Sequence, residues 1–406
     1  MVSGPLQGVR ILDLTHVWAG PLGVRFLADL GAEVVKVEAP YGRGPQVFPS
    51  EPIGGWMGGA PGPEPWNANA LFTKLHRNRR SLCVDLKQQQ GRALLLDLVG
   101  VSDVLIENFS ARAMDSMGLD FATLQAANER IIAVSMPGYG LSGPYRDRVA
   151  FGPTVEPLSG LSHMLGYDEQ SPRNSAMALM DPIGATHAAG AVLIALRKRQ
   201  QSGRGCRVEM SLHEGGVCFS GPWLLERQLG GNPRCQGNRH PLMAPHGVFR
   251  CCGDDQWLAL ACADDAQWSA LSEMLGLDAT MDLSARQAAA AQIDTAIERW
   301  TLAREKHEAV ELLQAAGVSA GPVNSTPDMV ADSQVLARNF FVTYEQFDVP
   351  MPGNPIRMQG LDSSQWQRCP GLGEHNAEVL EDWLGMDASQ TRELVSQGVL
   401  HDRPPG

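Results

Sequence analysis

The feature that most constrains this chain is an alternation in its first third, where short apolar runs of strand type are separated by stretches of helical character. Val9–Leu14 (VRILDL) reads as a strand. Pro21–Leu30 reads as a helix stopped by Gly31, since glycine adopts the left-handed conformation past a helix end without strain. Glu33–Glu38 (EVVKVE) is a second strand, Gln88–Val99 a helix, Asp103–Glu107 (DVLIE) a strand, Phe121–Asn128 a helix and Ile131–Ser135 (IIAVS) a strand. Strands that alternate with helices build an α/β fold with a parallel, doubly wound sheet. Ligands of such sheets lie off the carboxyl ends of the strands. Those ends are Thr15–Pro21, Ala39 onward, Asn108–Ser110 and Met136–Gly140.

Half of the residues from Ala39 to Trp66 are glycine or proline, which excludes a helix or a central strand and predicts a long irregular segment. At a strand end such a segment, with Trp56 and Trp66, suits a lid or a pocket wall. Further on, Ile183–Arg199 reads as a long helix, followed by a basic turn and a strand over 206–212. The character then changes. Gly247–Cys251 and Gln256–Ala261 look like a hairpin around Gly-Asp-Asp, and helices follow over 266–275, 284–302 and 306–316. This predicts a large domain over 1–215, a smaller α+β lobe over 225–320 and a loop-rich C-terminal segment over 330–406. Within that segment a strand is expected at Pro355–Gly360 and a helix at Ala388–Gln397.

With 33 Lys and Arg against 45 Asp and Glu, the chain carries a net charge of −12, and it lacks the basic field of a nucleic-acid binder. Its longest apolar run, AAGAVLIAL at 188–196, is too short to span a bilayer. No secretory leader is evident, and the eight cysteines show neither CxxC nor zinc spacing. The expectation is a cytoplasmic protein with reduced thiols, no bound metal and no membrane or nucleic-acid partner.

Common catalytic motifs are missing. THVWAGPLG follows the first strand in place of GxGxxG, GLSGP at 140–144 departs from GxSxG, and HEGGV at 213–217 is not HExxH. What remains suits an anionic ligand. HVWAGP (16–21) places small residues at a helix start, where free N–H groups favour phosphate. HRNRRS (76–81) and Lys87 concentrate basic side chains that otherwise form a solvated face. Asp181 stands just before Pro182 and a helix of small residues. An aspartate N-cap followed by proline at N1 is ordinary helix initiation. A carboxylate at a helix N-terminus is also kept ionised, as a nucleophile requires.

Several stretches together resemble one family. They are GVRILDLTHVWAGPLGVRFLADLGAEVVKVEAP (8–40), NRRSLCVDLK (78–87), DVLIENF (103–109), MPGYGLSGPYRDR (136–148), MALMDPIGATHAAGAVLIALRKRQQSGRGCRVEMSL (177–212), GNRHPLMAPHGVF (237–249) and AGVSAGPVNS (316–325). On these residues the chain resembles the family III CoA-transferases, the group of formyl-CoA transferase and the carnitine-type CoA-transferases. The resemblance implies a Rossmann-like large domain built from both ends of the chain, so that the segment over 330–406 returns to it, with a small lobe, and two identical chains interlaced as linked rings. It implies coenzyme A and acyl-CoA as substrates, with no permanently bound cofactor, and transfer of CoA to a free carboxylic acid. Succinyl-CoA is one expected donor. By the same resemblance Asp181 is the catalytic residue, forming an aspartyl anhydride and then an aspartyl-CoA thioester.

The family's CoA contacts fall on His16, Val17, Trp18 and Ala19; on Val84, Asp85, Leu86 and Lys87; on Asn108, Phe109 and Ser110; and on Pro137, Gly138, Tyr139 and Gly140. Three basic positions of formyl-CoA transferase are Ala39, Ser116 and Pro137 here, so Arg79, Arg80 and Arg112 are the candidates for the phosphates. Trp18 stands where that enzyme has a glutamine near the small acid. Two other readings follow from the same resemblance. An α-methylacyl-CoA racemase places a histidine base where this chain has Gly152. A subunit that binds CoA without catalysis is the other, and a lyase or isomerase using the same aspartyl chemistry is a variant.

Overall fold

The computed structural model describes residues 3–42, 52, 54–344 and 347–405. It divides into a larger unit of Met1–Ser162, Asn174–Gly231 and Asn339–Gly406, and a smaller one of His163–Arg173 and Asn232–Arg338.

The larger unit is built on six strands: Arg10–Asp13 (β1), Glu33–Glu38 (β2), Arg79–Cys83 (β3), Val104–Glu107 (β4), Ile132–Ser135 (β5) and Cys206–Glu209 (β6). Their order is β3-β2-β1-β4-β5-β6, all parallel, in registers such as Ile11 opposite Val34 and Leu12 opposite Leu105. Alternate residues of each strand go to opposite faces, and both faces are buried, so the strands read as nearly continuous apolar runs. Ile11, Val34, Val104, Ile106, Ile132 and Val134 pack on the first helix, Ala19–Asp29 (α1), and on the long helix Met180–Ser202. Leu12, Val35, Leu82, Leu105 and Ala133 pack instead on Leu94, Leu95 and Leu98 of the Gln89–Gly100 helix. Val379, Leu380 and Trp383 of the C-terminal helix Asn376–Leu384 join that second face.

The strand order reverses between β1 and β4. There the loops leaving the two strands part and open a crevice beyond their carboxyl ends. The chain's end closes the other flank: Asn376 accepts from the Cys83 N–H at 2.9 Å, and Val84 bridges to Leu400.

β3 was not expected as a strand. Its residues RRSLC begin with two arginines, and a buried strand admits those only where carboxylates meet them. The strand read over 206–212 ends at Glu209, and Leu212 opens a helix capped by the Ser211 hydroxyl. No strand forms at Pro355–Gly360; the C-terminal segment instead pairs Phe341–Tyr344 (β10) with Phe347–Pro352 (β11), antiparallel. Of the glycine- and proline-rich segment, residues 43–51 and 53 lie outside the described residues. Of its two tryptophans, Trp56 bridges to Asn69 and Trp66 lies in the short 3-10 turn Pro65–Asn67.

In the smaller unit His246–Arg250 (β7), Trp257–Ala261 (β8) and Ser319–Pro322 (β9) form an antiparallel sheet in that order. The helix read over 284–302 is interrupted at Ala289, leaving Leu283–Ala288 and Ala290–Leu302. Phe249, Leu258 and Leu260 of the sheet pack on Trp268, Ile293, Ile297, Val310 and Leu313.

Among the described residues no helix is long and apolar enough to cross a membrane.

Candidate active site

The loop after β1 is set by charges buried beneath it. Asp13 is wholly buried and ion-paired with the equally buried Arg79, with Lys36 3.8 Å away. Its carboxylate accepts from the Thr15 N–H at 2.8 Å and the Thr15 hydroxyl at 2.6 Å. Burial alone would raise this acid, but Lys36, Arg79 and the two Thr15 donors outweigh burial and hold it below the usual range. Lys36 also donates to the carbonyls of Thr15, at 2.6 Å, and Asp13, at 3.2 Å. The chain then turns through Val17 at φ +66°, a left-handed conformation that costs a β-branched residue dearly. Val17 is held there through the residue before it. His16 donates its N–H to the Asn108 amide oxygen at 2.7 Å, and the Asn108 amide returns a bond to the His16 carbonyl at 2.8 Å. Beyond the turn, Trp18 is the N-cap of α1 and provides no side-chain cap.

The N–H that emerges at that helix start, on Ala19, is directed at the carboxylate of Asp181 and lowers its pKa. Asp181 is not the N-cap of its own helix, as its place before Pro182 suggested. That position is Leu179, and the aspartate sits in the first turn, turned away to the neighbouring helix. The two helices approach closely because Gly23 has no side chain: a Cβ there would lie 2.8 Å from the Ala185 carbonyl oxygen. Asp181 therefore lies at two helix N-termini while being 8% exposed. Burial pushes its pKa up to about 6, and the Ala19 N–H offsets only part of that. A second glycine guards the carboxylate. A Cβ added to Gly152 would collide with the Asp181 Oδ2.

The other loops named from the sequence also lie beyond the carboxyl ends of the strands. Val84 to Lys87 follow β3, where Asp85 accepts from the Lys87 N–H at 3.0 Å and the Tyr41 hydroxyl at 3.0 Å. The Lys87 ammonium lies 3.9 Å from the centre of the Tyr41 ring, so an aromatic residue stands near the site of the missing Ala39 cation. Asn108, Phe109 and Ser110 follow β4, and the Phe109 ring pairs with the His16 imidazole at 5.3 Å. Burial and the nearby Lys36 push that imidazole down to about 3, so His16 is neutral at ordinary pH. Pro137–Gly140 follow β5, where the Gly138 carbonyl accepts from the His213 N–H at 2.9 Å and Tyr139 meets the His213 ring at 5.9 Å.

Arg79 and Arg80 are not brought to these loops as free cations. Arg79 is sealed against Asp13 and the carbonyls of Pro21 and Leu75. Arg80 starts from the amino half of β3 and bonds Glu378 and Asp382, lining a mixed-charge cavity of about 470 Å³ with Glu374 and Arg368. The basic run is thus neither an anion site nor a solvated face. Arg77, in the same run, is buried against Asp29. Arg112 does lie on the post-β4 loop, exposed and paired bidentately with Asp147 at 2.6 and 2.7 Å. It lines an open groove with Arg146 and Arg207, two cations the sequence reading passed over, and with Ser116. The positioning set of Asp13, Thr15 and Lys36 was also passed over. Its one visible signal is the lysine inside EVVKVE, a charge in an otherwise apolar central strand.

The family model described as CoA-transferase family III matches residues 6–376. The succinyl-CoA–D-citramalate CoA-transferase of Chloroflexus aurantiacus is 30% identical, over 98% of both chains. The succinate–glutarate CoA-transferase of Agrobacterium fabrum is 32% identical, over 95% of this chain and 98% of its own. A crystal structure of a CAIB/BAIF family protein from Brucella suis superposes with a TM-score of 0.83 at 30% identity, covering 94% of this chain and 99% of that one.

Proposed function

The chain belongs to CoA-transferase family III, and from that premise we propose that it moves CoA from an acyl-CoA donor to a free carboxylate with Asp181 as the nucleophile. The observation that carries this reading is the Asp181 carboxylate itself, buried and raised to about 6 yet served by the Ala19 N–H. A carboxylate of that basicity is ionised at neutral pH and more nucleophilic than a solvated one.

Asp181 attacks the thioester carbonyl, the C–S bond breaks, and an aspartyl acyl anhydride and CoA thiolate result. The thiolate attacks the aspartyl carbonyl of the anhydride, releasing the donor acid as carboxylate and leaving an aspartyl-CoA thioester. The acceptor carboxylate then attacks that thioester, and the returning thiolate takes the acceptor acyl group. Thioester is exchanged for thioester, so no other energy source is needed. Asp181 sits at the positive ends of two helices, whose field and free N–H groups would stabilise the oxygen that gains charge at each attack.

CoA is placed across the loops His16–Ala19, Val84–Lys87, Asn108–Ser110 and Pro137–Gly140. Its phosphates fall to Lys87 and to the groove of Arg112, Arg146 and Arg207. The names of the relatives support succinyl-CoA as a donor. Epimerisation is the weaker reading. It needs a second base across the α-carbon, and the position offered for that base is Gly152, which has no side chain and no room for one against Asp181. We further take the active form to be two interlaced copies, on the support of the exposed Leu193, Ile194, Phe219, Leu224, Leu225 and Leu229. The reading of the cysteines as reduced thiols supports the cytoplasm as its compartment.

Incubation with acyl-CoAs followed by hydroxylamine or borohydride trapping tests the mechanism. A mass change on the peptide carrying Asp181, absent in Asp181→Ala, is expected. An adduct on another residue, or none from any donor, overturns it.

A further inference from the structure

Beside the site are two cations, Lys74 and Arg25, that make no ion pair among the described residues. Lys74 projects from the short helix Ala70–Leu75 (α2), whose N-terminus is capped by Asn69. Its ammonium lies 5.8 Å from the centre of the Trp18 ring. The Trp18–Ala19 peptide carries the N–H that meets Asp181, so one residue links the lysine to the nucleophile. The charged group that acts on Lys74 is another cation, Arg25 of α1, whose guanidinium donates to the Lys74 carbonyl at 3.3 Å. Burial first, and then Arg25, depress the Lys74 ammonium. No ion pair to Lys74 is present among the described residues.

Arg25 is no better served. It is 5% exposed and its Nε has no hydrogen-bond partner. Burial first and then Arg77 push its pKa down to about 10. The carboxylate nearby, Asp29, is already committed. It takes Arg77 at 2.8 and 2.7 Å, Asn78 at 2.7 Å and Asn354 at 3.1 Å. The contrast within the same unit is sharp, since Arg77, Arg79, Arg80 and Arg199 each meet a carboxylate. Two cations placed together in a half-buried setting disfavour each other's charge, and an arriving anion relieves that cost.

We propose that Lys74, held over Trp18 and backed by Arg25, receives a second carboxylate on the acyl group, remote from the thioester carbon, so that the acids exchanged are dicarboxylic. This rests on the reading of Asp181 as the nucleophile. The indole forms an apolar floor for the methylenes between the two ends of the substrate. The ammonium and the Asp181 nucleophile then fix opposite ends of one chain. Arg25 acts through the Lys74 backbone as a positioning residue.

The test compares donors of equal chain length that differ in the distal group, succinyl-CoA and butyryl-CoA. The rate of adduct formation on the Asp181 peptide is measured for the wild type, Lys74→Met and Lys74→Arg, with thermal melting of each variant as a check on folding. The wild type is expected to favour succinyl-CoA by roughly 100-fold, and Lys74→Met to cut that ratio by about tenfold or more, chiefly through KM. Lys74→Arg retains a cation and is expected to restore most of the preference. An adduct on Asp181 with no preference between the donors, or a Lys74→Met effect equal for both, overturns this inference and leaves the nucleophile in place. No Asp181 adduct from any donor overturns the nucleophile and this inference together.

Discussion

Asp13 and Asp181 are the same residue type, nearly equally buried, on either side of one short loop, and their electrostatics are opposite. Asp13 meets Lys36, Arg79 and two Thr15 donors and is held below the usual carboxylate range. Asp181 meets one backbone N–H and is pushed up to about 6. Burial raises both, and what differs is the compensation. Full compensation makes a carboxylate inert and structural, because its lone pairs are spoken for and its charge is matched. Partial compensation leaves a basic, desolvated oxygen with room to react. The fully compensated acid also supports the partly compensated one, since it anchors the turn whose far end carries the Ala19 N–H.

The sharpest way to break the comparison is to delete each acid in turn. Asp181→Ala is expected to lower kcat by about 10⁴-fold or more, measured as CoA transfer between labelled acids. Asp181→Asn is expected to lose activity likewise while gaining stability. The native pKa of about 6 lies above the ordinary aspartate value of 3.8, so the folded state holds a proton that the unfolded state releases. The destabilising charge is therefore fully carried above about pH 6 and absent below about pH 4. Chemical unfolding should show the variant ahead by up to about 3 kcal/mol at pH 8, an advantage that vanishes at pH 4. Asp13→Asn is expected to do the reverse. It strands Arg79 and Lys36 in the core and should cost about 3–5 kcal/mol in the same measurement at pH 8.

How far the sequence reveals this contrast depends on the scale of the interactions. β1, β2, β4 and β5 are legible because burial on both faces makes each an apolar run, and the doubly wound order follows from the helices between them. β3 is not, because Arg79 and Arg80 look like a surface patch until Asp13 and Glu378 are placed opposite them. β11 is obscured by Pro350 and Pro352, tolerable here because it pairs with β10 alone. At the site, Asp181 is visible through its neighbours in sequence, yet its surroundings mislead. Aspartate before proline signals an N-cap, whereas the side chain is directed at a helix far away in the chain. Lys74 beside Trp18 has no local signature either, since the lack of an ion pair among the described residues is visible only in the folded structure.

A smaller lesion tests whether partial compensation needs the exact placement of the oxygen. Gly152→Ala adds one methyl group against the Asp181 Oδ2 and leaves every charge unchanged. The residue opens a short helix with an ordinary backbone conformation, so the fold tolerates alanine and the carboxylate has to move. Displacement from the Ala19 N–H is expected to cost about 100-fold in kcat, with melting shifted little.

The mildest perturbation is protonation. If the nucleophile is the Asp181 carboxylate, kcat/KM falls tenfold per pH unit below about 6 and is flat above it, because only the ionised form attacks. His16 cannot produce that limb, being held neutral down to about 3, and Asp13 is already ionised throughout. In Gly152→Ala the loss of the N–H removes the influence that lowers this acid, so the limb should move upward along with the lower plateau. A limb that stays near 4 in the wild type would mean that Asp181 is as well compensated as Asp13, and the distinction between the two acids would fall.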